Sequence, residues 1–231
     1  MIYQVLYEDK FIFENFLLYY TQSFYYLMAW CFYYLIISHQ DNKIFGFIHK
    51  LQSNKIIDAK SRIISSSHAI ILSFYSSIYL LNFISYDYWW LCLPICSSFG
   101  MFDLSLVTIH YNIFKRGYFP LLVHHNLLIF GPLLVTEENS LVMAQAFLFE
   151  VTVPILDFGW VLYHMKKKET RIFKINAFLS ILSFFFFRVA NGTYLIIRSF
   201  KYSIYFQTVS IIFFLLNVQW FINLTKLFVK Y

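Results

Sequence analysis

The sequence predicts an all-α fold, a polytopic transmembrane helical bundle of about seven spans. Two observations predict it. The chain is 60% hydrophobic and only 13% charged, with a mean hydropathy of +0.61, whereas soluble globular domains carry about 25% charged residues. Its apolar residues also fall in long runs, and a spanning helix needs about 20 of them. The 231 residues are then largely consumed by helices, which excludes a separate soluble catalytic domain.

Apolar runs between charge clusters place the spans at 16–38, 62–85, 88–109, 117–136, 140–164, 173–196 and 203–227. The stretch before the first carries Glu8, Asp9 and Glu14 against Lys10. It has neither the basic leader nor the small-residue cleavage site of a signal peptide, so the first helix is expected to be retained. Asp87 precedes the third span, Gly117 and Pro120 open the fourth, and the acidic turn Thr136-Glu137-Glu138-Asn139 closes it. Pro94, Pro132 and Pro154 fall inside spans, where neighbours can satisfy the carbonyls they free. The 29 Phe and 19 Tyr are spread along whole segments, as lipid-facing filler is, and do not form belts at the ends. Residues 1–59 read as an N-terminal segment, a first helix and a basic loop, and 60–231 as the remaining six helices, together one membrane domain.

The formal charge of +6 reflects topology and not nucleic-acid binding. Lys43, Lys50, Lys55, Lys60, Arg62, Lys115, Arg116, Lys166, Lys167, Lys168, Arg171, Lys174, Lys226 and Lys230 fall on one side of the expected spans, and Lys10, Arg198 and Lys201 on the other. The positive-inside rule then puts the N-terminus in the lumen and the C-terminus in the cytosol. Cys31, Cys92 and Cys96 lie in apolar runs and read as small hydrophobes, since no Cys-x-x-Cys spacing is present. The sequons at Asn191 and Asn223 sit in or against spans and are expected to stay unmodified.

Several ionisable groups interrupt the spans. A charge at bilayer depth costs about 2.5–3.5 kcal/mol even on insertion scales, so such groups face a bundle interior and mark function. At about 1.5 Å of rise per residue, His68, Asp103, His124, His125 and Asp157 share one layer roughly 10 Å below the cytosolic surface. Glu150 and Arg188 lie deeper and at matched depth, and are expected to pair. Adjacent helical residues point about 100° apart, so His124 and His125 cannot jointly hold a metal as an i, i+4 pair does. No metal site is expected. A histidine beside a carboxylate suits a general base or proton shuttle; the same residues also suit hydrogen bonds that hold helices together.

These residues resemble the TLC domain, the family of ceramide synthases, TRAM proteins and small TLC-domain-containing proteins, the four-type members most of all. The likeness runs from about Lys60 to the C-terminus. It rests on SRIISSSHA, SSFGMFDL, LLVHHNLLIFG, FEVTVPILDFGW, NAFLSILSFFFFR and LLNVQWFINLTK, in the family's order. The resemblance implies a helical bundle in the endoplasmic reticulum and a role in sphingolipid or other lipid homeostasis. It also implies that His124 and His125 match the histidine pair with which ceramide synthases transfer an acyl group from acyl-CoA. His68, Asp103, Glu150, Asp157, Asn176 and Arg188 are then the expected lipid-binding residues. Where ceramide synthases follow their histidines with a His-Asp motif and further acidic residues, this chain has Ala144-Gln145-Ala146 and then Phe147-Leu148-Phe149-Glu150. It also lacks a homeobox-like region.

Three functions follow. The chain binds, senses or handles a membrane lipid in a polar-lined intramembrane cavity. Alternatively, it is an acyltransferase with His124 or His125 as base and acyl-CoA as co-substrate, with no other cofactor. Or it is a trafficking factor working through protein contacts.

Overall fold

The computed structural model describes residues 2–39, 51 and 53–228. Lys43, Lys50 and Lys230, three of the charges used to assign topology, lie outside them. Among the described residues the fold is all-α with no strand. The principal helices are α1 (Ile2–His39), α2 (Ser53–Leu80), α3 (Tyr86–Ile109, stepped at Leu91), α4 (Tyr118–Leu134), α5 (Ser140–His164), α6 (Arg171–Ser199) and α7 (Ile204–Phe228). The helices α2, α3, α5, α6 and α7 are long and apolar enough to cross a membrane, which marks an integral membrane protein. Helix α4 is apolar but shorter. In α1, Gln22 and several tyrosines dilute the hydropathy, although its exposed face is Leu17, Phe24, Met28, Phe32 and Leu35.

The breaks follow from local chemistry. Pro94 and Pro120 sit in first turns, where their missing N–H is not needed. At Gly131-Pro132 helix α4 tightens into a 3-10 turn, Gly131–Leu134. Pro154 follows a 3-10 stretch, Leu148–Val151, that divides α5. Helix α6 carries a π-helical segment, Phe185–Ala190, which holds Arg188; such bulges recur at functional sites. Helix α2 starts at Ser53, nine residues before the expected span. Lys55, Asp58, Lys60 and Arg62 therefore belong to its first turns and not to a loop, and the residue-59 boundary falls inside a helix.

Packing closes a ring. Helix α2 lies against α3 and α5, α3 against α4, α4 against α7, α7 against α6, and α6 against α5, with α1 outside on α2 and α3. On that outer seam the Tyr19 hydroxyl bonds Ser97, Trp30 Nε1 donates to Ser98 Oγ at 3.2 Å, and Tyr33 and Ser67 share a 3.1 Å bond. Gly100 lets α3 and α4 meet: a Cβ there would lie 3.0 Å from Ile129, 3.1 Å from Leu128 and 3.2 Å from the His125 carbonyl.

Candidate functional site

Each of the six ring helices contributes at least one buried polar residue, among them in turn His68, Asp103, His125, Glu150, Arg188 and Asn217, all less than 10% exposed. Four of them fall in two hydrogen-bonded groups, and the His68 and Glu150 side chains make no hydrogen bond among the described residues. On α2, α3 and α4, Ser61 Oγ donates to Asp103 Oδ1 at 2.8 Å, and Asp103 Oδ2 takes His125 Nε2 at 2.8 Å. The carboxylate thereby fixes the proton on Nε2 and leaves Nδ1 a bare lone pair. That Nδ1 has no hydrogen-bond partner. On α5, α6 and α7, Arg188 Nε donates to the Phe149 carbonyl at 3.1 Å and to Thr152 Oγ1 at 2.7 Å, and Arg188 Nη1 to Asn217 Oδ1 at 2.9 Å. The 3-10 stretch of α5 presents that carbonyl, and the π segment of α6 aims the guanidinium at it.

The expected Glu150–Arg188 ion pair does not form. Matching depth gives height along a helix but not direction around it, and the π segment alters that direction. Arg188 is satisfied by neutral oxygens, and the Glu150 carboxyl makes no hydrogen bond among the described residues, although Arg188 and His125 lie within its electrostatic reach.

His124 and His125 diverge as their spacing requires, with ring centroids 5.3 Å apart. His124 fills the α4–α7 seam, stacked 5.6 Å from Phe213 and edge-on to Trp220 at 5.3 Å. His68 is fully buried, stacked on Phe99 at 3.9 Å, and neither ring nitrogen has a partner. His124 Nδ1 is likewise unpartnered. A buried polar atom left without a bond costs about 1–3 kcal/mol, so these four ring nitrogens, on α2 and α4, are unusual.

Asp157 and Asn176 do not join this group. Asp157 accepts from Arg62 Nη1 at 2.7 Å and from Ser66 Oγ at 2.8 Å, while Arg62 also bonds Asp58 at 2.9 Å and lies 4.7 Å over the Trp160 ring. This ion pair closes the α2–α5 seam. Asn176 Nδ2 donates to the Ile155 carbonyl at 3.1 Å, with Gly159 leaving the space it occupies. Asn191 Nδ2 donates to the Gln145 carbonyl at 2.9 Å, so that sequon nitrogen is used inside the bundle.

A cavity of about 70 Å³ opens among α4, α5, α6 and α7, with Cys96 of α3 on its wall. Its lining overturns the expectation of a polar one: Leu127, Leu128, Val142, Phe147, Phe149, Leu195 and Phe213 dominate, and Glu150 is the ionisable carboxyl among them. It is far below the roughly 300–1,000 Å³ of a drug-sized site, and so admits one end of a chain rather than a whole lipid. Phe213 stacks on both Phe149 and His124, joining the cavity to the histidines.

The chain matches no protein-family model, no curated protein and no solved structure. Among the described residues no cluster of three or more His, Cys, Asp or Glu is arranged to hold a metal. Ser61, Ser66, Thr152 and Arg62 are the site residues that sequence reasoning missed. The i, i+4 spacings Asp58/Arg62 and Arg62/Ser66 were the available signal for the ion pair that closes the α2–α5 seam.

Proposed function

We propose that this protein is a TLC-like endomembrane protein of seven spans, with α1 and α4 as the additional two, acting in lipid homeostasis in the endoplasmic reticulum. In this reading its ring interior holds the polar group of a membrane lipid, a sphingolipid by the resemblance, at the histidines. The observation that carries it is the set of unpartnered ring nitrogens of His68, His124 and His125 beside an apolar cavity. A lipid amide or hydroxyl offers those nitrogens both a donor and an acceptor, while the cavity takes apolar chain. The charge asymmetry supports a luminal N-terminus and a cytosolic C-terminus.

A second reading is favoured by one specific contact. Asp103 holding His125 Nε2 at 2.8 Å leaves Nδ1 free to take a proton, which is how a carboxylate prepares an imidazole as general base. In this alternative an acceptor hydroxyl or amine loses its proton to that nitrogen as it attacks an acyl-CoA thioester. The thiolate of CoA leaves, and the imidazolium returns a proton to it.

The test is a whole-cell lipidome of cells lacking the protein, rescued with wild type or with His124→Ala/His125→Ala at matched protein levels. Wild type restores the shifted lipid class and the double variant does not. Equal rescue by both would show the histidines to be structural and remove both readings. Acyl-CoA consumption by purified protein with the affected lipid class then separates holding from transfer.

A further inference from the structure

We infer that the cavity among α4–α7 is a site for a neutral, hydroxyl-bearing aliphatic chain, with Glu150 as the acceptor of its hydroxyl hydrogen. The inference deepens the lipid-holding reading by naming the chemistry of the guest at a place separate from the histidines.

The lining dictates that chemistry. Its walls are aliphatic and aromatic, and about 70 Å³ suits a narrow chain and not a fused ring system. The polar side chains that face it are Cys96, Glu150 and Ser210. The Cys96 thiol points to the Leu128 carbonyl at 3.7 Å, and Ser210 Oγ donates to the Phe206 carbonyl at 2.8 Å. Their hydrogens are therefore in use. Glu150, 6% exposed, has no hydrogen bond among the described residues. With Glu150 ionised beside the Arg188 cation, the cavity offers a hydrogen-bond acceptor and no free donor, and a guest must bring the donor itself. Because the Arg188 cation already lies within electrostatic reach of Glu150, a second cation beside it is disfavoured, and a hydroxyl fits better than an ammonium. Entry is easiest past α7, whose most apolar stretch is only 6% buried and whose Phe213 and Ser210 form one wall.

Thermal unfolding of the purified full chain in nanodiscs tests this, with dodecan-1-ol, dodecyl methyl ether and dodecylamine as probes. Dodecan-1-ol at ten times its Kd is expected to raise the wild-type midpoint by about 3 °C, with the ether and the amine giving no shift. Glu150→Met removes the acceptor and is expected to abolish the alcohol's effect. Gly131→Leu fills the cavity, since a Cβ there has its nearest neighbour, Met143 Cε, at 4.0 Å, and should abolish it with Glu150 intact. An equal shift in all three proteins would mean unspecific partition into the bilayer and overturn the inference, as would a shift produced by the ether or by the amine alone. Failure here with the histidine variant still unable to rescue the lipidome removes this site and leaves the lipid-holding reading standing.

Discussion

At the scale of single residues, the group that organises the interior is Asp103. It receives one hydroxyl and one imidazole N–H, and the second of these decides which face of His125 stays basic. Bonds to a charged acceptor are worth about 1.5–3 kcal/mol, against about 1 kcal/mol for a neutral one. Asp103→Asn is therefore expected to weaken lipid retention by up to about 30-fold, while Ser61→Ala, which removes a bond but leaves the charge and the imidazole contact, should stay within about 2-fold of wild type. Quantifying lipid co-purified with each variant checks both. Equal losses would mean that Asp103 serves packing and not the tautomer. The sequence showed that Asp103 and His125 share a depth. It did not show Ser61 as the companion of Asp103, Ser66 as that of Asp157 or Thr152 as that of Arg188, because a serine or threonine in an apolar helix so often bonds its own preceding turn, as Ser67 and Ser73 do here.

At the scale of elements, the contact that brings the pair together is the close approach of α3 and α4 at Gly100. Its Cβ position lies 3.2 Å from the His125 carbonyl, a backbone atom that cannot swing aside. Gly100→Val should cost about 1–3 kcal/mol through overpacking and lower the unfolding midpoint by about 2–4 °C per kcal/mol. It should also abolish rescue, because α4 must move away from Asp103, one turn further along α3. Helical circular dichroism should be unchanged. Retained rescue with the expected loss of stability would show that the Asp103–His125 contact tolerates helix separation. The helices themselves were legible from hydrophobic runs because helix length in a bilayer is set by thickness. The irregular turns were not. Leu148–Val151 and Phe185–Ala190 contain no residue that announces a 3-10 or π segment, yet together they turn Glu150 and Arg188 away from the direct pair that depth alone suggested. The early start of α2 was hidden for a related reason: Asp58 and Arg62 read as loop charges until the fold places Asp157 opposite them.

At the scale of the molecule, the ring has two differently closed ends. Lys166, Lys167, Lys168, Arg171 and Lys174 are exposed around the α5–α6 connection, at the end where Asp58, Arg62 and Asp157 seal the α2–α5 seam. At the other end the α4–α5 turn carries Glu137 and Glu138, and Tyr202 donates to the Glu138 carbonyl at 3.1 Å. Basic residues mark the cytosolic side, so in the proposed orientation the Arg62 seam faces the cytosol and the acidic turn faces the lumen. The consequence is testable with acceptor sequons placed on short polar tags. A tag before residue 1 should be glycosylated in microsomes, and one after residue 231 should not, since only the luminal side carries the transferase. A sequon inserted between Glu138 and Asn139, with a polar spacer, should also be modified, and one among Lys166–Lys168 should not. The opposite pattern would place the Asp103–His125 pair nearer the lumen, out of reach of cytosolic acyl-CoA, and would eliminate the acyl-transfer reading while leaving lipid holding intact. Modification of both terminal tags would require an even number of spans, and α1 or α4 would then have to lie along the membrane instead of crossing it.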